Sequence, residues 1–138
     1  MRRHRRAPRQ RCPTLVLVVV GLTLKWVDRI PAPALTASTM HVVRRRLLSF
    51  AREHGRAPES LHDLPDVHGL TARLDDGWGR PLGLEVRGGE VVLTSLGRDG
   101  RGGGRGADRD LVGIFALRGP DGSWSDDDTD WRVDPLER

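Results

Sequence analysis

Leu82-Gly83-Leu84-Glu85-Val86-Arg87-Gly88-Gly89-Glu90-Val91-Val92-Leu93 is the stretch from which the fold is read. Leu82, Leu84 and Val86 alternate with Gly83, Glu85 and Arg87; after Gly88-Gly89, Val91 and Leu93 alternate with Glu90, Val92 and Thr94. A period of two sends successive side chains to opposite faces of a strand, and a two-residue glycine turn suits the positive φ angles of a tight hairpin. The stretch predicts two antiparallel strands with one face buried.

Upstream, Met40, Val43, Leu47, Phe50 and Ala51 recur three and four apart, the spacing of one helix face. They predict an amphipathic helix from Thr36 to Glu53, begun after a break at Pro31 and Pro33, capped by Ser38 or Thr39 and stopped at Gly55. Arg44, Arg45, Arg46 and Arg52 fall mostly on the other side, where a solvated face is the plain expectation and a phosphate or lipid headgroup the functional one. Downstream, the run Leu111 to Leu117 is continuous enough for a buried third strand. One long helix followed by about three antiparallel strands is an α+β class in which the sheet packs on the helix.

Composition limits what this fold can hold. A chain of 138 residues with 37% hydrophobic and 4% aromatic residues builds one small core, and 17 glycines with 9 prolines imply many loops. The formal charge of +4 hides a segregation: residues 1–12 carry six arginines and no acid, residues 13–118 sum to +3, and residues 119–138 sum to −5. One broad positive face for nucleic acid is therefore not expected. Cys12 is the single cysteine, which excludes an internal disulfide and a cysteine zinc cluster. His41, His54, His62 and His68 show no recurring metal spacing.

Thirteen uncharged residues, CPTLVLVVVGLTL, separate Arg11 from Lys25 directly behind the arginine cluster. This is the plan of a secretory signal or signal anchor, with Ala32-Pro33-Ala34 in the small-x-small form of a cleavage site. A helix of that length rises about 20 Å, so spanning requires Lys25 to snorkel and Trp26 to lie at the interface. Arginines ahead of an inserted segment stay on the cytoplasmic side, and everything after Asp28 then faces outward. The alternative is a buried strand with a solvated basic arm.

Residues 95–110 read SLGRDGRGGGRGADRD, six glycines and three aspartates in sixteen positions. So many glycines make an ordered loop entropically costly, so the loop is either solvated and mobile or fixed by something. Calcium takes six to eight oxygens, and Asp99, Asp108 and Asp110 supply carboxylates while Ser95, Leu96 or a glycine offers carbonyls. The Arg-Gly-Gly-Gly-Arg-Gly within it instead resembles a short RGG segment, which supports an RNA-binding alternative using this loop and the basic head.

Three features in order resemble the major pseudopilin of type II secretion, protein G of the general secretion pathway. Gly55-Arg56-Ala57-Pro58-Glu59-Ser60-Leu61 with Asp63-Leu64 is similar to the turn that closes the family's long helix. Asp76-Gly77-Trp78-Gly79-Arg80-Pro81 matches its D-x-W-G-x-P box. Ser95-Leu96-Gly97 through Asp99-Gly100, Gly103-Gly104, Gly106, Asp108, Asp110 and Leu111 resembles its calcium-binding loop. The likeness covers about residues 36–115, and it departs from the family at the head, which has no Gly-Phe junction and no acid before Asp28.

The resemblance implies a pilin-like domain over residues 34–118, behind a basic head and apolar anchor at 1–33; the acidic tail at 119–138 lies beyond the match, and its Asp126-Asp127-Asp128 with Asp130 read as a solvated end rather than a second calcium site. It implies calcium held by Asp99, Asp108 and Asp110 with the carbonyls of Ser95 and Leu96, and Trp78 packed on the core or sheet. It further implies a structural protein of a secretion or pilus-like system, tethered at the inner membrane with its domain on the periplasmic side. Its partners would be other pseudopilins or secretion components, with no nucleic acid. No nucleophile with a base, paired acids or phosphate cradle is present in the sequence, so no enzyme is expected.

Overall fold

The computed structural model describes residues 30–66, 68, 73–126, 131 and 133–135. Residues 1–29 of the expected head and anchor lie outside the described residues, and among those described no helix is long and apolar enough to cross a membrane. The chain divides after Ile30, and the helices and strands of the described residues all belong to the compact unit Pro31–Arg138.

Helix α1 (Ala32–His54) starts four residues before the expected Thr36. Pro33 sits in its first turn, where a missing N–H costs nothing because no carbonyl precedes it to accept one. Neither Ser38 nor Thr39 caps the helix; Pro31 holds the cap position without a side-chain bond, and Thr39 Oγ1 donates back to Leu35 O at 3.0 Å. Gly55 ends the helix as expected, at φ 69°, with its N–H on Ala51 O. Met40, Val43, Leu47, Phe50 and Ala51 are all buried, joined by Leu48. A short 3-10 turn, Leu61–Asp63, comes next; Ser60 and Asp63 cap each other's backbone N–H groups across it, and Leu61 and Leu64 enter the core.

The hairpin is realised in the expected register. Strands β1 (Gly83–Arg87) and β2 (Glu90–Ser95) pair antiparallel from Gly83↔Thr94 to Arg87↔Glu90. Gly88 and Gly89 turn between them at φ 56° and 93°, the left-handed conformations that only glycine adopts freely. Strand β3 (Leu111–Ala116) pairs with β2, placing Phe115 beside Val91 and Gly113 beside Leu93 on the core face. It is not buried on both faces, since Ile114 points outward and is exposed.

Two expectations are corrected. The sheet has four strands rather than three, in the order β1-β2-β3-β4, because Val133–Pro135 adds to β3 as β4. Residues of the acidic tail thus join the fold, with Ser125 donating its N–H to Leu117 O, Arg118 bridging to Trp124, and Trp131 and Val133 packing against the core, while Asp126, expected to be solvated, is exposed. The arginine face is also solvated only in part, since Arg45 and Arg52 are exposed and Arg44 and Arg46 are not. Arg44 and Arg46 are each only 3% exposed. Arg46 donates to the carbonyls of Pro65 and Leu64 at 2.9 and 3.0 Å, and Arg44 reaches Asp126 O at 2.9 Å while lying near the faces of Phe115 and Trp131. Each satisfies carbonyls of chain that lacks regular structure, work a guanidinium fork can do from inside a core.

Candidate functional site

The glycine-rich loop between β2 and β3 is ordered by its own backbone and by two arginines. Its first turn spans residues 97–100, and Arg98 N–H donates across the loop to Ala107 O at 2.9 Å. A Cβ on Gly97 would stand 2.7 Å from the Asp108 carbonyl carbon, and one on Gly104 2.3 Å from Asp108 O. Side chains at either position would push the loop apart, so these glycines are required for close backbone approach around Asp108.

The start of the loop is tied down by the D-x-W-G-x-P box. Asp76 is completely buried, its Oδ1 accepting the N–H groups of Trp78 and Arg80 at 2.9 Å each. Its Oδ2 accepts the Ser95 hydroxyl at 2.7 Å, and Ser95 Oγ accepts Gly97 N–H at 3.3 Å. Gly77 N–H donates to Thr36 Oγ1 at 2.8 Å, and Gly77 lies so close to Ala32 that a Cβ there would be 2.1 Å from its carbonyl oxygen. One turn therefore joins the helix start to the loop start. Arg80 completes the connection, its Nη1 donating to Gly97 O at 2.9 Å and to Arg98 O. Trp78 itself is half-buried and outside the hydrophobic cluster that forms the core.

The five residues expected at a cation site are placed differently from one another. Asp110 is 2% exposed; its Oδ2 accepts Gly103 N–H at 2.8 Å and its buried Oδ1 has no hydrogen-bond partner. A buried carboxylate oxygen without a donor is costly unless a cation or water faces it, and this is the feature of the loop that fits a hard metal ion. Asp99 is exposed and accepts Arg101 N–H at 3.0 Å. Asp108 is turned to Arg98, which binds both its oxygens, Nε at 2.8 Å and Nη2 at 3.0 Å. That hydrogen bond and the adjoining charge hold the Arg98 proton more firmly than usual. Ser95 faces Asp76, and Leu96 is exposed where the chain leaves β2. Among the described residues no three His, Cys, Asp or Glu side chains stand together as a metal-holding group.

Asp76 and Arg80 were not singled out by sequence as site residues. The signal for Asp76 was present in Asp76-Gly77-Trp78, where an aspartate two residues ahead of a turn N–H can accept it. Nothing in the sequence points Arg80 at the carbonyls of Gly97 and Arg98, seventeen and eighteen residues away. Compared with models of known protein families, with curated proteins and with solved structures, the chain matches none.

Proposed function

We propose that this protein is a calcium-stabilised, pilin-like structural protein of the pseudopilin type, serving a secretion or pilus-like assembly rather than catalysing a reaction. Three features support the reading: a long helix packed on an antiparallel sheet, the Asp76 turn, and a loop with inward carboxylate. The observation that carries it is Asp110 Oδ1, buried in the loop and unpaired.

In this reading Asp110 and Asp99, with Asp108 once released from Arg98, supply the carboxylates, and Ser95 and Leu96 the carbonyls. The carbonyls of Gly97 and Arg98 are already taken by Arg80. A bound ion would add folding energy to a domain whose core is small, because its ligands converge only in the folded chain. The apolar run behind the basic head would tether the domain to the inner membrane, with the domain on the periplasmic side and other pseudopilins or secretion components as partners. The RNA-binding alternative draws on the exposed Arg101 and Arg105 of the same loop.

Thermal unfolding of the full chain in calcium and in chelator tests the reading. Calcium raises the melting temperature of the parent and not of Asp110→Ala; no shift in the parent, or an equal shift in an Asp99→Ala, Asp108→Ala variant, sinks the calcium site.

A further inference from the structure

We propose that Arg98 is a built-in competitor for the cation site: its guanidinium holds Asp108 in a bidentate pair that a divalent cation must displace, and it thereby sets the concentration at which the loop binds metal. This rests on the calcium reading and concerns the regulation of that site.

The pair engages both side-chain oxygens of Asp108. Nε and Nη2 of Arg98 donate to Oδ1 and Oδ2 at 2.8 and 3.0 Å, so a cation ligated by Asp108 has to compete with the guanidinium for the same carboxylate. The side chains are 63% and 31% exposed respectively, so Arg98 can swing into water when released. The backbone beneath Asp108 does not need to move with it. It is wedged between Gly97 and Gly104, whose Cβ positions would lie within 3 Å of its carbonyl group.

The competition has a definite sense. With the cation absent, Arg98 neutralises Asp108 and leaves Asp110 as the inward carboxylate, so the loop stays closed without metal. With the cation present, it has to separate two unit charges before gaining its third carboxylate. Breaking an exposed ion pair of this kind opposes binding and is expected to weaken it by about two- to fivefold.

Calorimetric titration of calcium chloride into the chelator-stripped full chain decides this with three variants. Arg98→Ala is expected to bind about two- to fivefold more tightly than the parent. Arg98→Lys, which keeps the charge but not the two-pronged contact, is expected to fall between them. Arg101→Ala removes the same charge from the same loop and leaves Asp108 alone, so its affinity should stay near the parent's. Equal affinities for the parent and Arg98→Ala, weaker binding by Arg98→Ala, or equal tightening in Arg101→Ala would each overturn the competition while leaving the calcium site standing. Absence of binding by the parent and Arg98→Ala alike removes both.

Discussion

The Ser95 hydroxyl donates to Oδ2 of Asp76 across 2.7 Å, both residues being shut off from solvent. The two stand nineteen positions apart in the chain, and the bond joins the turn before β1 to the end of β2.

Asp76 is expected to matter more for stability than any acid of the loop. Its replacement by Ala strands two part-buried N–H donors and one buried hydroxyl, each worth about 1–3 kcal/mol when left unpaired, for a total loss of about 3–5 kcal/mol. Asp76→Asn retains an acceptor for the two N–H groups and a donor for Ser95 Oγ, and should lose about half as much. Urea denaturation checks this; an Ala variant within about 1 kcal/mol of the parent would show the bonds to be incidental.

Acid should weaken the fold through His41. Its Nδ1 accepts the Trp131 indole N–H at 3.0 Å, and burial first, Arg44 second, holds its pKa below the ordinary 6.5. Unfolded His41 therefore binds its proton at higher pH than folded His41. Stability from this group is complete above pH 6.5 and falls as pH drops through the window between 6.5 and the folded value. Urea midpoints at about pH 7.5 and 5.0 should differ less in His41→Gln, whose amide oxygen still accepts from Trp131. An identical pH response in both proteins would refute the role of His41.

Three glycines should respond differently to alanine. At Gly77 the new Cβ would meet backbone, Ala32 O at 2.1 Å, and a loss of about 3 kcal/mol is expected. At Gly113 it would meet the Trp131 ring at 1.9 Å, a side chain that can turn away at a cost of about 1–3 kcal/mol, with a red shift of tryptophan emission. At Gly102 nothing lies within 4 Å and φ is not positive, so alanine should stabilise by about 0.4–1 kcal/mol through the unfolded chain. Thermal melts of the set test the ranking, which fails if Gly102→Ala is the most damaging.

Arg46 should tolerate loss of its charge poorly. Arg46→Met keeps the packed stem but abandons the carbonyls of Leu64 and Pro65, for an expected loss of about 2–3 kcal/mol. Arg46→Ala also opens a cavity and should cost about 2 kcal/mol more. Chemical denaturation showing either variant as stable as the parent would return Arg46 to the solvated face that its charge suggested.

What the sequence made legible was local. The hairpin at Gly88-Gly89 and the core face of α1 are written in short-range periodicity, and both stand where the pattern put them, except that Val86 at the end of β1, expected on the buried face, is 40% exposed. Arg44 and Arg46 were misplaced because charge normally signals solvent, whereas their stems are apolar and their partners, Asp126 and Pro65, lie 82 and 19 residues away. The fourth strand was missed because three residues, Val133–Pro135, are too few to show a period. The loop's acids were legible as a group. That Asp108 faces Arg98 and Asp110 faces inward depends on how the loop coils, which spacing alone does not determine.

The plain order of the sheet bears on how the chain folds in time. Because each strand pairs with the next one made, β1 to β4 can be laid down in sequence with no strand inserted between two others. Trp131, edge-on to Phe115 and His41, follows in the chain every group it packs against, so covering Arg44 waits until that residue is made. Nascent chains stalled before residue 131 should accordingly hold a formed hairpin around an unsealed core.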